Sequence, residues 1–135
     1  MHLRRAVPDR RWYSVKRRFR LTEKERFRLV RQTGVSYTHP LLVVCLLANG
    51  QPFSRCGFTV SRRLGKAVER NRVRRRISEA VRLIWDLIEP GWDVVWVARP
   101  ALQSVDFAEI QEACIRLLKR GGALRAAGAT VNLAP

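Results

Sequence analysis

The stretch that decides the fold runs from Arg55 to Ala98: RCGFTVSRRLGKAVERNRVRRRISEAVRLIWDLIEPGWDVVWVA. In its first part Cys56, Phe58 and Val60 alternate with Gly57, Thr59 and Ser61, the period of a strand with one apolar face. Val73, Ile77, Ala80, Val81, Ile84 and Ile88 then recur at helical spacing, predicting a helix over about 67–88. Pro90-Gly91 ends it, and the short apolar run 92–98 reads as a strand closed by Arg99-Pro100. A strand, a helix and a strand in this order form a crossover unit, ordinarily right-handed.

Working outward, Thr22 followed by Glu25 has the form of a capping box, so a first helix is expected from Thr22, with Phe27 and Val30 inward and Gly34 as its stop. The segment 35–48 carries Pro40 near its start, and 41–48 is apolar enough for a central strand. Asn49-Gly50 predicts a turn from which the strand at about 55–61 pairs back against 41–48. A last helix is expected over about 105–120, with Phe107, Ile110, Cys114, Leu117 and Leu118 inward and Gly121-Gly122 as its end. The order α-β-β-α-β-α describes a single-domain α+β sandwich: a small mixed sheet with two long helices on one face and a basic groove on the other. Residues 1–20 are expected to be a flexible basic arm, 21–120 the domain and 121–135 a frayed tail.

The chain has 135 residues and a formal charge of +16, from 27 Lys and Arg against 11 Asp and Glu. So large an excess repels itself and implies a polyanionic partner, nucleic acid first. Arginine far outnumbers lysine, which favours bidentate phosphate contact and stacking over diffuse attraction. No run approaches the ~20 apolar residues of a membrane helix, and the N-terminus lacks the pattern of a secretory signal, so a cytoplasmic location without membrane contact is expected. Cys45, Cys56 and Cys114 have no metal-ligand spacing and read as buried thiols; a Cys45–Cys56 bridge is the one pairing left open. No paired carboxylates, nucleophile elbow or metal motif indicate a hydrolytic centre, and isolated His39 reads as structural or RNA-contacting rather than a general base.

Residues 62–82 hold nine basic side chains, Arg62, Arg63, Lys66, Arg70, Arg72, Arg74, Arg75, Arg76 and Arg82, against Glu69 and Glu79. Lys66, Arg70 and Arg74 fall on one side of the helix, where like charges cost a few tenths of a kcal/mol per pair, roughly. Core packing does not require that arrangement. Asn71, a poor mid-helix residue, is read either as a base or 2'-hydroxyl contact or as a local cap. In the basic arm, Trp12 and Tyr13 are read as stacking or packing residues.

These same residues carry a resemblance. Gly57-Phe58-Thr59-Val60-Ser61-Arg62-Arg63-Leu64-Gly65-Lys66-Ala67-Val68, followed by Arg70-Asn71-Arg72-Val73-Arg74-Arg75, resembles the signature of the bacterial ribonuclease P protein component. The likeness extends from Leu21 through Gly91-Trp92-Asp93-Val94-Val95-Trp96-Val97-Ala98-Arg99-Pro100 to the last helix. It implies a fold like ribosomal protein S5 domain 2, with a left-handed β-α-β crossover against the usual preference. It also implies a non-catalytic protein subunit of a ribonucleoprotein endoribonuclease, whose RNA removes the 5' leader of precursor tRNA using Mg2+ held mainly by RNA. The implied partners are that catalytic RNA and the leader, with no obligate protein partner and no metal held by the protein alone. By resemblance Arg70, Asn71, Arg72, Arg74 and Arg75 lie near the catalytic RNA core, with Arg62, Arg63 and Lys66 at nearby basic positions, and Phe27 is a cleft aromatic. The chain departs from the pattern at Arg31 and Cys45, which stand where cleft aromatics are usual, at Ser78 for an arginine, and at Arg76 for an aliphatic residue. A ribosomal or ribosome-assembly RNA-binding protein is the alternative, and a DNA-packaging protein a weaker third.

Overall fold

A computed structural model describes residues 17–125. After a 3-10 turn at Arg17–Phe19 come α1 (Lys24–Thr33), β1 (Val35–Thr38), β2 (Leu42–Ala48), β3 (Arg55–Val60), α2 (Ala67–Leu83), β4 (Trp92–Ala98) and α3 (Phe107–Arg120). The four strands form one mixed sheet in the order β1-β2-β4-β3. Alternation along the strands separates two cores. Leu42, Val44, Leu46, Cys56, Val60, Val94 and Trp96 pack against Val73, Ile77 and Val81 of α2 and Ile110, Cys114, Leu117 and Leu118 of α3. On the other face α1 lies across Cys45 and Val95, sealed by Leu21 and Val30. The α+β sandwich expected from the sequence is therefore present, with two helices on one face and the first helix on the other. Among the described residues no helix is long and apolar enough to cross a membrane.

The pairing of the strands differs from the sequence expectation. β3 does not pair back on β2; β4 lies between them, antiparallel to β2 and parallel to β3. Asn49-Gly50 does form a turn, with Gly50 at φ 69°. It opens a loop that crosses the end of β4 rather than a hairpin: the Asn49 amide N–H donates to the Gly91 carbonyl at 2.9 Å. β4 takes the middle because its side chains are buried on both faces, whereas β3 exposes Thr59 partly and suits an edge. The segment 35–48 also divides in two. Pro40 interrupts it, and the His39 imidazole accepts from the Leu41 amide at 3.0 Å, folding β1 back on β2. Burial first, then the charges of Arg116 and Arg120, hold the His39 pKa below its ordinary value and keep that acceptor free.

Three further expectations are corrected. α1 begins at Lys24 with Glu23 as N-cap and no side-chain cap bond, so Thr22 and Glu25 do not form a capping box; the backbone before the helix is instead committed to the sheet, with the Leu21 amide donating to the Cys56 carbonyl at 2.7 Å. The α-helix predicted over 67–88 ends at Leu83 and continues as a 3-10 turn, Trp85–Leu87. The tail is docked over 121–125: Ala123 is buried, Leu124 bridges Ile88, and the Arg125 amide donates to the Leu87 carbonyl at 2.7 Å. Residues 126–135 and the arm residues 1–16, with Trp12 and Tyr13, lie outside the described residues; the end of the arm is ordered, with Arg20 bridging Cys56. Cys45 and Cys56 are both free thiols on opposite faces of the sheet, in different cores, which excludes a bridge between them. Burial pushes the Cys114 thiol up to about 12 and Cys56 higher, so both are inert as nucleophiles.

One carboxylate connects the layers. Asp93 is fully buried on the α1 face of β4. It accepts from Arg55 at 2.9 and 2.8 Å, from Arg26 of α1 at 2.6 Å and from the Asn49 amide at 2.9 Å. Burial raises its pKa, but the bonds from Arg55, Asn49 and Arg26 outweigh burial and hold it below the ordinary aspartate value. Asp93→Asn should therefore destabilise the chain by about 3–5 kcal/mol, read from urea unfolding, because two arginines lose their counter-charge. A depressed pKa contributes stability that is complete above the unfolded value and disappears as pH falls through the folded one. The acid side of the stability curve, below about pH 4, should accordingly be shallower in Asp93→Asn than in the native chain.

Candidate nucleic-acid interface

Helix α2 begins at Ala67 after a 3-10 turn, Arg62–Leu64, which buries Leu64 and leaves Arg62 and Arg63 exposed. Lys66 is the N-cap; its ammonium group cannot accept, so only the reciprocal half of a capping box forms, with Glu69 accepting from the Lys66 amide at 2.9 Å. The acidic residue within the basic run thus serves the helix start. Val73, Ile77, Ala80 and Val81 bind the opposite side of the helix to the sheet, which turns the cationic side outward. Arg72, Asn71 and Arg75 are exposed there. Arg70 is half-buried and reaches back to the Gly65 carbonyl at 2.8 Å, while Arg74 donates to the Asn71 side-chain oxygen at 3.1 Å. Asn71 lies inside the helix and does not cap it, so of its two sequence readings the capping one is removed.

The basic run contains structural members as well. Arg76 donates to the Leu102 and Val105 carbonyls, at 3.4 and 2.6 Å, anchoring α2 to the approach of α3. This explains an arginine where the family pattern has an aliphatic residue: its charge is turned toward the domain. Arg82 pairs with Glu79.

Between the start of α1, the edge of β3 and the middle of α2 lies a groove of about 330 Å3 lined by Phe27, Gly57, Phe58, Arg74 and Ser78, with Arg20, Leu21 and Thr22 along it. Gly57 is its necessary floor. A Cβ there would stand 2.6 Å from the Phe27 ring, so only glycine lets the ring lie against β3. Ser78, where the family pattern has arginine, is buried, so on the α2 side of the groove the guanidinium is that of Arg74, across from Arg20. Arg31, one turn beyond Phe27, is exposed and shares with it a separate shallow depression on α1. Cys45 is buried under α1 with its sulfur 3.4 Å from the Ser36 hydroxyl and presents no stacking surface. Of the residues predicted from sequence, the structure therefore gathers Phe27 and Arg74 in one groove and leaves Arg72 and Arg75 exposed on the solvent side of the same helix, while Arg70 turns back to Gly65. Arg62, Arg63 and Lys66 stand at the N-terminal end of that helix, and Arg31 lies apart. Gly57 and residues 20–22 were missed as groove-forming elements; the only signal was a glycine inside a strand, which often marks a close approach.

Chemically this surface offers guanidinium, ammonium and amide donors beside the Phe27 and Phe58 rings. That set suits phosphate oxygens and an unstacked base, and it repels a divalent cation. Among the described residues no three His, Cys, Asp or Glu gather as a metal site, and the exposed donors do not fit magnesium.

Fold and surface together define a small α+β protein of the polyanion-binding class. The family model described as Ribonuclease P matches residues 15–122. The ribonuclease P protein component of Roseiflexus castenholzii is 45% identical over 114 residues, covering 84% of this chain and 93% of the relative. That of Herpetosiphon aurantiacus is 42% identical over 106 residues, covering 78% and 86%. Among solved structures, the RNase P protein from Thermotoga maritima aligns with a TM-score of 0.69 at 35% identity, covering 75% of this chain and 96% of that one. The Staphylococcus aureus RNase P protein aligns with a TM-score of 0.71 at 26% identity, covering 79% and 98%. The chain belongs to the ribonuclease P protein family.

Gly57→Ala should displace the Phe27 ring and cost about 1–3 kcal/mol of stability. Its larger effect should be on ligands that use the groove, so affinity for a single-stranded oligonucleotide should fall while the acid-side slope of stability that Asp93 confers stays as in the native chain.

Proposed function

We propose that this chain assists a catalytic RNA in removing the 5' leader of precursor tRNA, by gripping the RNA with α2 and guiding the single-stranded leader along the Phe27 groove. The observation that carries the reading is the separation of duties among the arginines: Arg26, Arg55 and Arg76 serve the fold, whereas Arg62 and Arg63 in the turn before α2, and Arg72 and Arg75 on its solvent side, are exposed. Their mutual repulsion is relieved when phosphates arrive. Family membership supports the same assignment, since the relatives bear the name of that protein component.

In this reading Arg70, Asn71, Arg72, Arg74 and Arg75 face the catalytic RNA near the cleavage junction, and Arg62, Arg63 and Lys66 extend the contact along its backbone. Phe27 offers one stacking surface to the leader, with Arg31 supplying charge where a second aromatic is usual. One base stacked on an aromatic contributes about 1–3 kcal/mol, so leader affinity here rests more on charge than on stacking and should be strongly salt-dependent. Magnesium is held by RNA, and the protein acts by screening phosphate repulsion and by positioning.

Leader cleavage by the family's catalytic RNA should be stimulated by the full chain at low magnesium, with the stimulation shrinking as magnesium rises. A folded, RNA-bound chain that leaves the low-magnesium rate unchanged would refute the proposal. Arg72→Ala should weaken RNA assembly at fixed salt and lower the slope of log affinity against log salt by about 1. Arg116→Ala, at an exposed position of α3 where the side chain pairs with Glu112, should change neither; equal losses would reduce α2 to general charge.

A further inference from the structure

Beyond the Phe27 groove lies a second, larger concavity of about 680 Å3, within the ~300–1,000 Å3 range of small-ligand sites. Its walls are aromatic. Phe19 stacks on Trp85 with ring centroids 5.4 Å apart and planes at 27°, and Phe53 tilts against Phe19 at 5.9 Å. All three rings stay partly exposed, so they do more than complete the core. Its rim is cationic. The Arg18 guanidinium lies 4.9 Å over the Phe19 ring, and Arg82 and Arg125 line the mouth. Asp86 is at the same rim and Glu79 neutralises part of Arg82, yet positive charge remains in surplus.

Two features tie this concavity to the groove. Arg74 and Ser78 line the groove, while Arg82 and Trp85 line the concavity; the four follow one another along one side of α2 and its 3-10 extension. Residues 20–22 border the first, and Arg18 and Phe19 border the second. The two hollows thus succeed each other between the same pair of elements, roughly 10 Å apart at a helical rise of ~1.5 Å per residue.

We propose that the concavity of Phe19, Phe53 and Trp85 is a second RNA site, which takes an unpaired nucleotide by stacking its base on the aromatic wall and its phosphate on Arg18 and Arg82. The proposal rests on the RNA-binding reading of α2 and deepens it by naming a site at the far end of that helix. A flat aromatic wall beneath a guanidinium rim matches the two halves of a nucleotide, base and phosphate. The nucleotide comes either from the leader or from an unpaired position of the catalytic RNA.

The test is photocrosslinking of the full chain in the assembled complex, with 4-thiouridine placed in the leader in one arm and in the catalytic RNA in the other. Crosslinks on peptides containing Phe19, Phe53 or Trp85 are expected in one arm, which identifies the source. Crosslinks confined to the Arg70–Arg75 segment in both arms would overturn this site while leaving the RNA-binding reading intact; crosslinks to neither would overturn both. In parallel, Phe53→Ala should lower affinity for the crosslinked RNA about ten-fold and Phe53→Tyr should restore it. Unchanged affinity in Phe53→Ala would also reject the site.

Discussion

Asp93 is the point on which the arrangement turns. A carboxylate with no solvent exposure is costly to bury, and four hydrogen bonds from Arg26, Arg55 and Asn49 offset that cost. The bonds come from α1, from β3 and from the loop between β2 and β3, all converging on β4. The Arg26 guanidinium also donates to the Ala48 carbonyl at 3.1 Å, so α1 is fixed against the ends of two strands. The tilt of α1 across the sheet, and with it the position of Phe27 over Gly57, follows from that anchor.

The same anchor shows how a chain of charge +16 uses part of that charge inside its own fold. Some of the arginines are internal fasteners. Arg76 closes the approach to α3, and Arg120 donates to the Thr38 carbonyl at 2.8 Å while lying over the Tyr37 ring, covering the edge strand β1. Arginine suits these tasks because its planar fork spans several acceptors at once. The charge that remains is gathered on one flank of α2, where the apolar stripe on the opposite side fixes its direction. A polyanion meets a surface that is already shaped, so little ordering is required there on binding.

The grooves are products of the sheet edge. β3 is an edge strand, and the chain at 20–22 lies against it, the Leu21 amide bonded to the Cys56 carbonyl. This covers an edge that would otherwise invite pairing with another chain. It also builds a wall opposite α2, and the space between wall and helix is what Phe27 and Arg74 line on one stretch and Phe19 and Trp85 on the next.

Much of this was legible in the chain itself. The stripe from Val73 to Val81 located α2 and its buried side, the density of arginine located the exposed cationic surface, and the apolar runs at 41–48 and 92–98 located the two central strands. Asp106 and Glu109 form a reciprocal capping box at the start of α3, a local signal as readable as the false one at Thr22. Local signals failed wherever a distant partner competed: the Thr22 cap lost to the bridge between Arg20 and Cys56, and the Asn49-Gly50 hairpin lost to β4. Asp93 looked like a scattered acid because its partners are 38, 44 and 67 residues away. Periodicity states which side of an element is buried, since that depends on the element's own geometry. It does not state which element arrives to cover it, because that choice is made by side-chain burial and charge satisfaction summed over the whole chain. For this protein the sequence therefore determined the cationic helix and the two-faced sheet, while the tertiary structure alone decided strand order, the buried carboxylate and the grooves beside β3.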